Sequence, residues 1–134
     1  AMFDRWIEPQ LTDTLCELGM GAVAFCPLNQ GVLTDRYISG IPSDSRAAIS
    51  YGSINPDYVT EPKLDKVKKL SAFAKERNQS VAQLALAWVL RKEPITSAII
   101  GASKVSQIEE NVAAINKLDF SSDELSEIQK IIAD

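Results

Sequence analysis

Only two segments of this chain read convincingly as strands, Ala22-Val23-Ala24-Phe25-Cys26 and Ser97-Ala98-Ile99-Ile100, and that scarcity constrains the fold more than any other feature. Both are apolar without alternation, the pattern of a parallel strand buried on both faces. Helical signals fill most of the remainder. Pro9 and the spacing of Leu11, Leu15 and Leu18 predict a helix before the first strand, with Gly19 as its stop. From Pro62 onward, Leu64, Val67, Leu70, Phe73 and Ala74 fall on one stripe. Ser80 is placed to cap a following segment that is apolar almost all round, and Ser121 with Glu124 stands in capping-box register for a last helix. The stretch from Leu28 to about Glu61 is rich in Gly, Ser, Pro, Asp and Tyr and predicts a long connection.

The resulting order is helix, strand, long loop, two helices, strand, helix, helix, which is the alternation of α/β proteins with parallel strands. A parallel sheet of two strands leaves both edges open and covers little of its own face. The expectation is therefore one partial domain over residues 1–134, a slice of a larger sheet or barrel. Two exposed edges also favour self-association, swapping or disorder, so a homo-oligomer or a partly ordered chain is expected if the slice folds alone.

Composition narrows the function. The net charge is −4 with no basic block, which argues against nucleic acid as the main partner. Apolar runs are only a few residues long, far short of the roughly 20 needed to cross a bilayer, and no signal peptide is evident. Cys16 and Cys26 match no metal or redox spacing and read as reduced thiols of a cytoplasmic protein. With no histidine in the chain, a His-ligated metal or a Ser-His-Asp triad within it is excluded.

The segment Ile99 to Val112, IIGASKVSQIEENV, runs from a strand directly into a helix. Gly101 permits close backbone approach, Ser103 can cap the helix, and Lys104 adds positive charge where the first helical N–H groups already favour an anion. Gln107, Glu110 and Asn111 follow on adjacent turns and could meet a polar ring edge or a ribose. These residues suit a nucleotide phosphate site; ordinary helix-start chemistry beside a solvated face is the simpler alternative. FCPLNQGVLTDRY, residues 25–37, repeats the logic after the first strand, with Gly31, a run of backbone N–H groups and nearby Arg36. A plain turn and short helix would read the same way. Lys66, Lys68 and Lys69 read as a solvated face, Trp88 as helix packing, and Trp6 as a helix anchor or a rim residue.

Taken together, FCPLNQGVLTDRY, GIPSDSR and TSAIIGASKVSQIEENVAAI resemble the C-terminal part of an aldo-keto reductase. The likeness is to the bacterial branch related to potassium channel β subunits and L-glyceraldehyde 3-phosphate reductases. It covers essentially the whole chain. The resemblance implies a (β/α)8 barrel that binds NADP(H) at the C-terminal ends of its strands and reduces small carbonyl substrates. It also implies that the catalytic Asp, Tyr, Lys and His lie upstream, in a missing N-terminal part of the barrel, so that this chain alone is expected to be inactive. A nucleotide-sensing module like the channel β subunits is the alternative.

Position by position, the resemblance puts Phe25, Cys26, Pro27, Leu28, Asn29 and Gln30 along the nicotinamide and pyrophosphate, with Arg36 near the phosphates and Arg46 near the adenosine end. Gly101, Ser103, Lys104 and Gln107 would surround the 2′-phosphate, and Glu110 and Asn111 the adenine. An ammonium pairs with a phosphate dianion but gains little from a hydroxyl, so Lys104 would discriminate NADPH from NADH. Two residues depart from the family pattern: Cys26 stands where Ser is common, and Asp35 stands where Gly is common.

Overall fold

A computed structural model describes residues 1–43, 45, 47, 48 and 56–133. Among these the chain forms α1 (Leu11–Glu17), β1 (Ala22–Phe25), α2 (Glu61–Glu76), α3 (Val81–Leu90), β2 (Ile95–Ile99), α4 (Val105–Val112) and α5 (Ser122–Ala133). Three 3₁₀ turns, Asn29–Gly31, Asp35–Tyr37 and Pro56–Tyr58, punctuate the long connection from β1 to α2, and a fourth, Ala113–Asn116, extends α4.

The helices begin where their caps are written. Ser80 N–H donates to Gln83 Oε1 at 3.0 Å and Gln83 N–H to Ser80 Oγ at 3.2 Å, a reciprocal box that opens α3. Ser121 and Glu124 make the same exchange at 2.8 and 3.1 Å and open α5. Gly19, at φ 64°, ends α1 in the left-handed conformation, and Met20 N–H returns to Leu15 O at 2.8 Å. The start of α1 is later than expected, at Leu11, with Pro9 in the preceding turn. Leu11 and Leu18 are exposed, and Thr12 is the residue α1 buries.

α3 is the central helix. Eight of its ten residues are buried, so it can touch α2 on one side and β2 and α4 on the others. α2 contributes Leu64, Val67, Leu70 and Ala74 to the core, with Phe73 packed at its margin, and α5 adds Ile128 and Ile131. The long connection is anchored too, since Val32, Leu33 and Tyr37 join this core. Burying a side chain of this size contributes about 1.5–3 kcal/mol.

β1 and β2 pair in parallel, with Val23 opposite Ser97, Ala24 opposite Ala98 and Phe25 opposite Ile99. The ladder starts earlier on β2 than the sequence suggests, because Ala22 N–H takes Pro94 O at 2.8 Å and draws Ile95 and Thr96 into the strand. Gly21 is required by close approach: a Cβ there would lie 2.8 Å from Thr96 Cγ2.

The expectation that both sheet faces are buried is corrected. Ala22, Ala24 and Ala98 are partly covered, whereas Val23, Phe25 and Ile99 are 57%, 77% and 61% exposed on the opposite face. Small residues on one face and large apolar ones on the other are what a strand needs between a helical layer and a barrel interior. Among the described residues nothing covers that second face. An apolar groove between α3, β2 and α4, lined by Leu86, Leu90, Ile100, Val112 and Ile115, is open as well.

Two charged clusters tie the layers together. Arg77, 3% exposed, donates to Gln79 Oε1 and Asp119 O at 2.9 Å each, pairs with Glu124, and lies 4.1 Å from the Phe120 ring centre. Trp88 is packed as expected, and it is flanked by the guanidinium groups of Arg5 and Arg91. Glu8 bridges these two arginines. Burial pushes the Glu8 carboxyl up, but hydrogen bonds from Arg5 and Arg91 outweigh it and leave it below the usual carboxylate range. Trp6 lies in the turn before α1 and is exposed, so it does not anchor a helix. Nor is Lys66 merely solvated: its Nζ donates to Ile132 O at 3.0 Å and joins α2 to α5.

Candidate functional site

The last register pair of the sheet, Phe25 and Ile99, determines what stands together. In a parallel pair both chains leave from the same end, so residues 26–31 and 100–104 emerge side by side at the C-terminal edge of the sheet.

The first of these loops is sharply wound. Cys26, Asn29 and Gln30 have φ of 50°, 50° and 60°, and Gly31 has φ of 92°. Left-handed backbone at three non-glycine positions is unfavourable and persists only where surroundings enforce it. Here the enforcement is local: Asn29 N–H donates to Cys26 O, Gly31 N–H and Leu33 N–H both donate to Leu28 O, and Thr34 Oγ1 donates to Gly31 O at 2.6 Å. Pro27 is buried and ends β1; Leu28 is half-buried. Asn29 is 5% exposed, accepts the Tyr58 hydroxyl at Oδ1, and finds no acceptor for Nδ2 among the described residues.

Arg36 sits in the following 3₁₀ turn, which Thr34 caps by accepting Arg36 N–H at 3.2 Å. Asp35 does not thrust its carboxylate into the loop, because Oδ1 accepts the Ser71 hydroxyl of α2 at 3.1 Å. Arg46, expected near the adenosine end, lies outside the described residues.

The second loop exposes Gly101, Ser103 and Lys104. Ser103 is not the cap of α4. Lys104 holds the cap position in extended backbone, and Gln107 reaches back so that its Oε1 accepts Ser103 N–H at 2.8 Å, Lys104 N–H at 3.2 Å and Ser103 Oγ at 3.3 Å. A neutral carbonyl thus fills the place that the helix start offers to an anion. Glu110 is exposed and its backbone oxygen accepts Gln83 Nε2 at 3.0 Å, while Asn111 is buried against the groove between α3 and β2. Of the residues named from sequence, Phe25 ends β1, Arg36 stands in the next 3₁₀ turn and the other described ones lie on the two neighbouring loops and α4, where Gln107 folds back over the helix start, Asn111 is buried and Glu110 is exposed.

What the site offers an anionic ligand is the exposed Lys104 cation beside a helix start at the end of the sheet; the N–H groups of Asn29, Gly31, Val32 and Leu33 and of Ser103 and Lys104 are already paired within the chain. Tyr58 carries no local signal that would select it; it comes from a connection without motif or periodicity and reaches Asn29 only through the fold. Among the described residues no group of acidic, Cys or His side chains could hold a metal ion, and no helix is long and apolar enough to cross a membrane.

Comparison with known proteins bears on the family and the fold. The family model described as the aldo/keto reductase family matches residues 1–133. The L-glyceraldehyde 3-phosphate reductase of Escherichia coli (strain K12) is 44% identical over 137 residues, covering 99% of this chain and 40% of that protein. A candidate voltage-gated potassium channel subunit β of Schizosaccharomyces pombe is 38% identical over 104 residues, covering 75% of this chain and 30% of its own length. The solved structure of a glycerol dehydrogenase from Gluconobacter oxydans superposes with a TM-score of 0.77 at 24% identity, over 98% of this chain and 40% of that one. The chain spans 40% or less of the length of these relatives, and its two strands with their helices are a slice of a (β/α)8 barrel. On the family match, the two strand-end loops and the barrel-like sheet, this chain belongs to the aldo/keto reductase family.

Proposed function

We propose that this chain forms the pyrophosphate and 2′-phosphate side of an NADPH site in a cytoplasmic reductase of small aldehydes or ketones. The observation that carries the reading is the convergence, at one sheet end, of the wound loop at residues 26–31 and the helix start at Lys104. Phe25 through Gln30 would lie along the nicotinamide and pyrophosphate, and Arg36 and Arg46 near the phosphates and adenosine. Lys104 with Gly101, Ser103 and Gln107 would take the 2′-phosphate, and Glu110 and Asn111 the adenine. When bound, the dinucleotide supplies the hydride; this chain's residues hold its anionic end and choose between NADPH and NADH.

The exposed apolar face of Val23, Phe25 and Ile99 would be covered by the other barrel strands, which would also bring the catalytic Asp, Tyr, Lys and His. The isolated chain is accordingly expected to be inactive, and its uncovered face would favour a homo-oligomer. The likeness to a candidate channel subunit supports a second reading, in which the same nucleotide site serves as a sensor.

The experiment is a fluorescence titration of the full-length protein with NADPH, followed by steady-state oxidation of NADPH with small aldehydes. Binding with turnover supports the reductase, and binding without turnover supports the sensor. A full-length protein that binds neither NADPH nor NADH removes both readings.

A further inference from the structure

Gln83 takes part in two helices at once. At the start of α3 its Oε1 accepts Ser80 N–H at 3.0 Å, while its own backbone N–H donates to Ser80 Oγ at 3.2 Å. The same side chain reaches α4, where its Nε2 donates to Glu110 O at 3.0 Å. An amide is planar, so holding the oxygen in the cap fixes where the nitrogen can reach. The base of this bridge is firm, because Val81 and Leu84, beside Gln83 in α3, are rooted in the core.

α4 has few anchors of its own. Asn111 is the residue it buries, and Val105, Ile108 and Val112 are exposed. Its start is closed locally by Gln107, and the groove between α3, β2 and α4 is open. Glu110 lies in the last turn of α4, where carbonyls run short of helical N–H partners and a side-chain donor is stabilising. The Gln83 bond therefore ties that turn to the most deeply buried helix. It uses the backbone oxygen, and Glu110 itself stays exposed.

The geometry points to Gln83 as a positioning residue for the adenine end of the site: its Nε2–H₂ group holds Glu110 O and so sets the Glu110 carboxylate where it accepts from the exocyclic amino group of the base. This assignment rests on the NADPH reading above. The competing account is that Gln83 only caps α3. Glutamate separates the two, because it serves the cap as well as glutamine does but brings no N–H to Glu110 O.

The test uses the full-length protein and compares wild type, Gln83→Glu, Glu110→Ala and the double variant. Two probes are titrated: NADPH and its hypoxanthine analogue, in which a carbonyl replaces the amino group of the base. Wild type is expected to prefer NADPH, because a carboxylate accepts from an amino group and repels a carbonyl oxygen. Each single variant is expected to reduce that preference about fivefold, with the double variant no worse. Ser80→Ala breaks the cap and keeps the bridge, so it should lower the melting temperature and leave the preference alone. A preference within about twofold of wild type in Gln83→Glu would overturn the assignment, as would additive losses in the double variant or a wild type that does not distinguish the two bases. If Gln83→Glu does not fold, Gln83→Met, which keeps the length of the side chain and removes the donor, is read in the same way. A wild-type protein that binds neither nucleotide removes the NADPH reading itself, a result that the variants cannot imitate.

Discussion

Arg77 and Asn29 are both buried polar residues, in the helical layer and at the strand ends respectively, and their surroundings differ in kind. Arg77 meets a carboxylate, a side-chain amide, a backbone carbonyl and an aromatic face, all drawn from within 47 residues of itself. Asn29 meets one hydroxyl and keeps a donor without an acceptor among the described residues, within a loop of left-handed backbone. Among the described residues the helices leave no buried side-chain donor or acceptor unpaired, although the groove between α3, β2 and α4 stays open. The strand ends keep a buried donor without an acceptor inside a strained loop, the kind of local cost that clusters where ligands bind.

If that contrast is sound, substitutions in the two regions should separate stability from affinity. The largest effect on stability is expected from Leu84→Ala in α3, whose side chain is fully buried: about 3 kcal/mol, read from the denaturant midpoint of the full-length protein. NADPH affinity, extrapolated to the folded fraction, should be unchanged. Lys104→Ala is the converse. It is expected to weaken NADPH binding by about 1.5–3 kcal/mol, roughly 10- to 100-fold, while NADH binding and the melting temperature stay put. Equal losses for the two nucleotides would remove Lys104 from the 2′-phosphate.

The clamp on α5 should show a pH dependence of definite sign. The Ser121 backbone N–H, and with it the Arg77 guanidinium, holds the Glu124 carboxyl below its ordinary range. A carboxyl depressed in the folded state stabilises above its unfolded pKa, and that contribution is lost as pH falls through the folded value. Acid unfolding of Glu124→Gln should therefore be shallower than that of wild type, with little difference in slope near neutrality. Glu124 is partly exposed, so the effect is modest.

The smallest effect marks where neither region is engaged. Lys68 pairs with Asp65 at 3.1 Å on the open side of α2, and Lys68→Ala should change stability by less than about 0.5 kcal/mol and nucleotide affinity not at all. A larger change would mean that this face is covered in the full-length protein.

Much of the helical layer was legible because its signals are local. Ser80 with Gln83 and Ser121 with Glu124 start helices through hydrogen bonds that span three residues, and the Leu64, Val67 and Leu70 stripe needs only the helical period. The two loops were legible through resemblance, since turn chemistry alone reads equally well as plain connection. Hidden from the sequence were contacts whose partners are distant along the chain: Tyr58 on Asn29, Ser71 on Asp35 and Lys66 on Ile132 O. The exchange at α4 was also missed, because either Ser103 or Gln107 could satisfy the helix start and only packing selects between them.

By itself, then, the sequence determined the order of the elements, the parallel character of the strands and the starts of α3 and α5, because caps, periods and turn residues act within a few positions of one another. The tertiary structure decided which face of the sheet is left uncovered, which polar groups are completed and which are left waiting at the strand ends. Those outcomes depend on what the folded chain brings within a few ångströms, and no separation along the sequence encodes that distance.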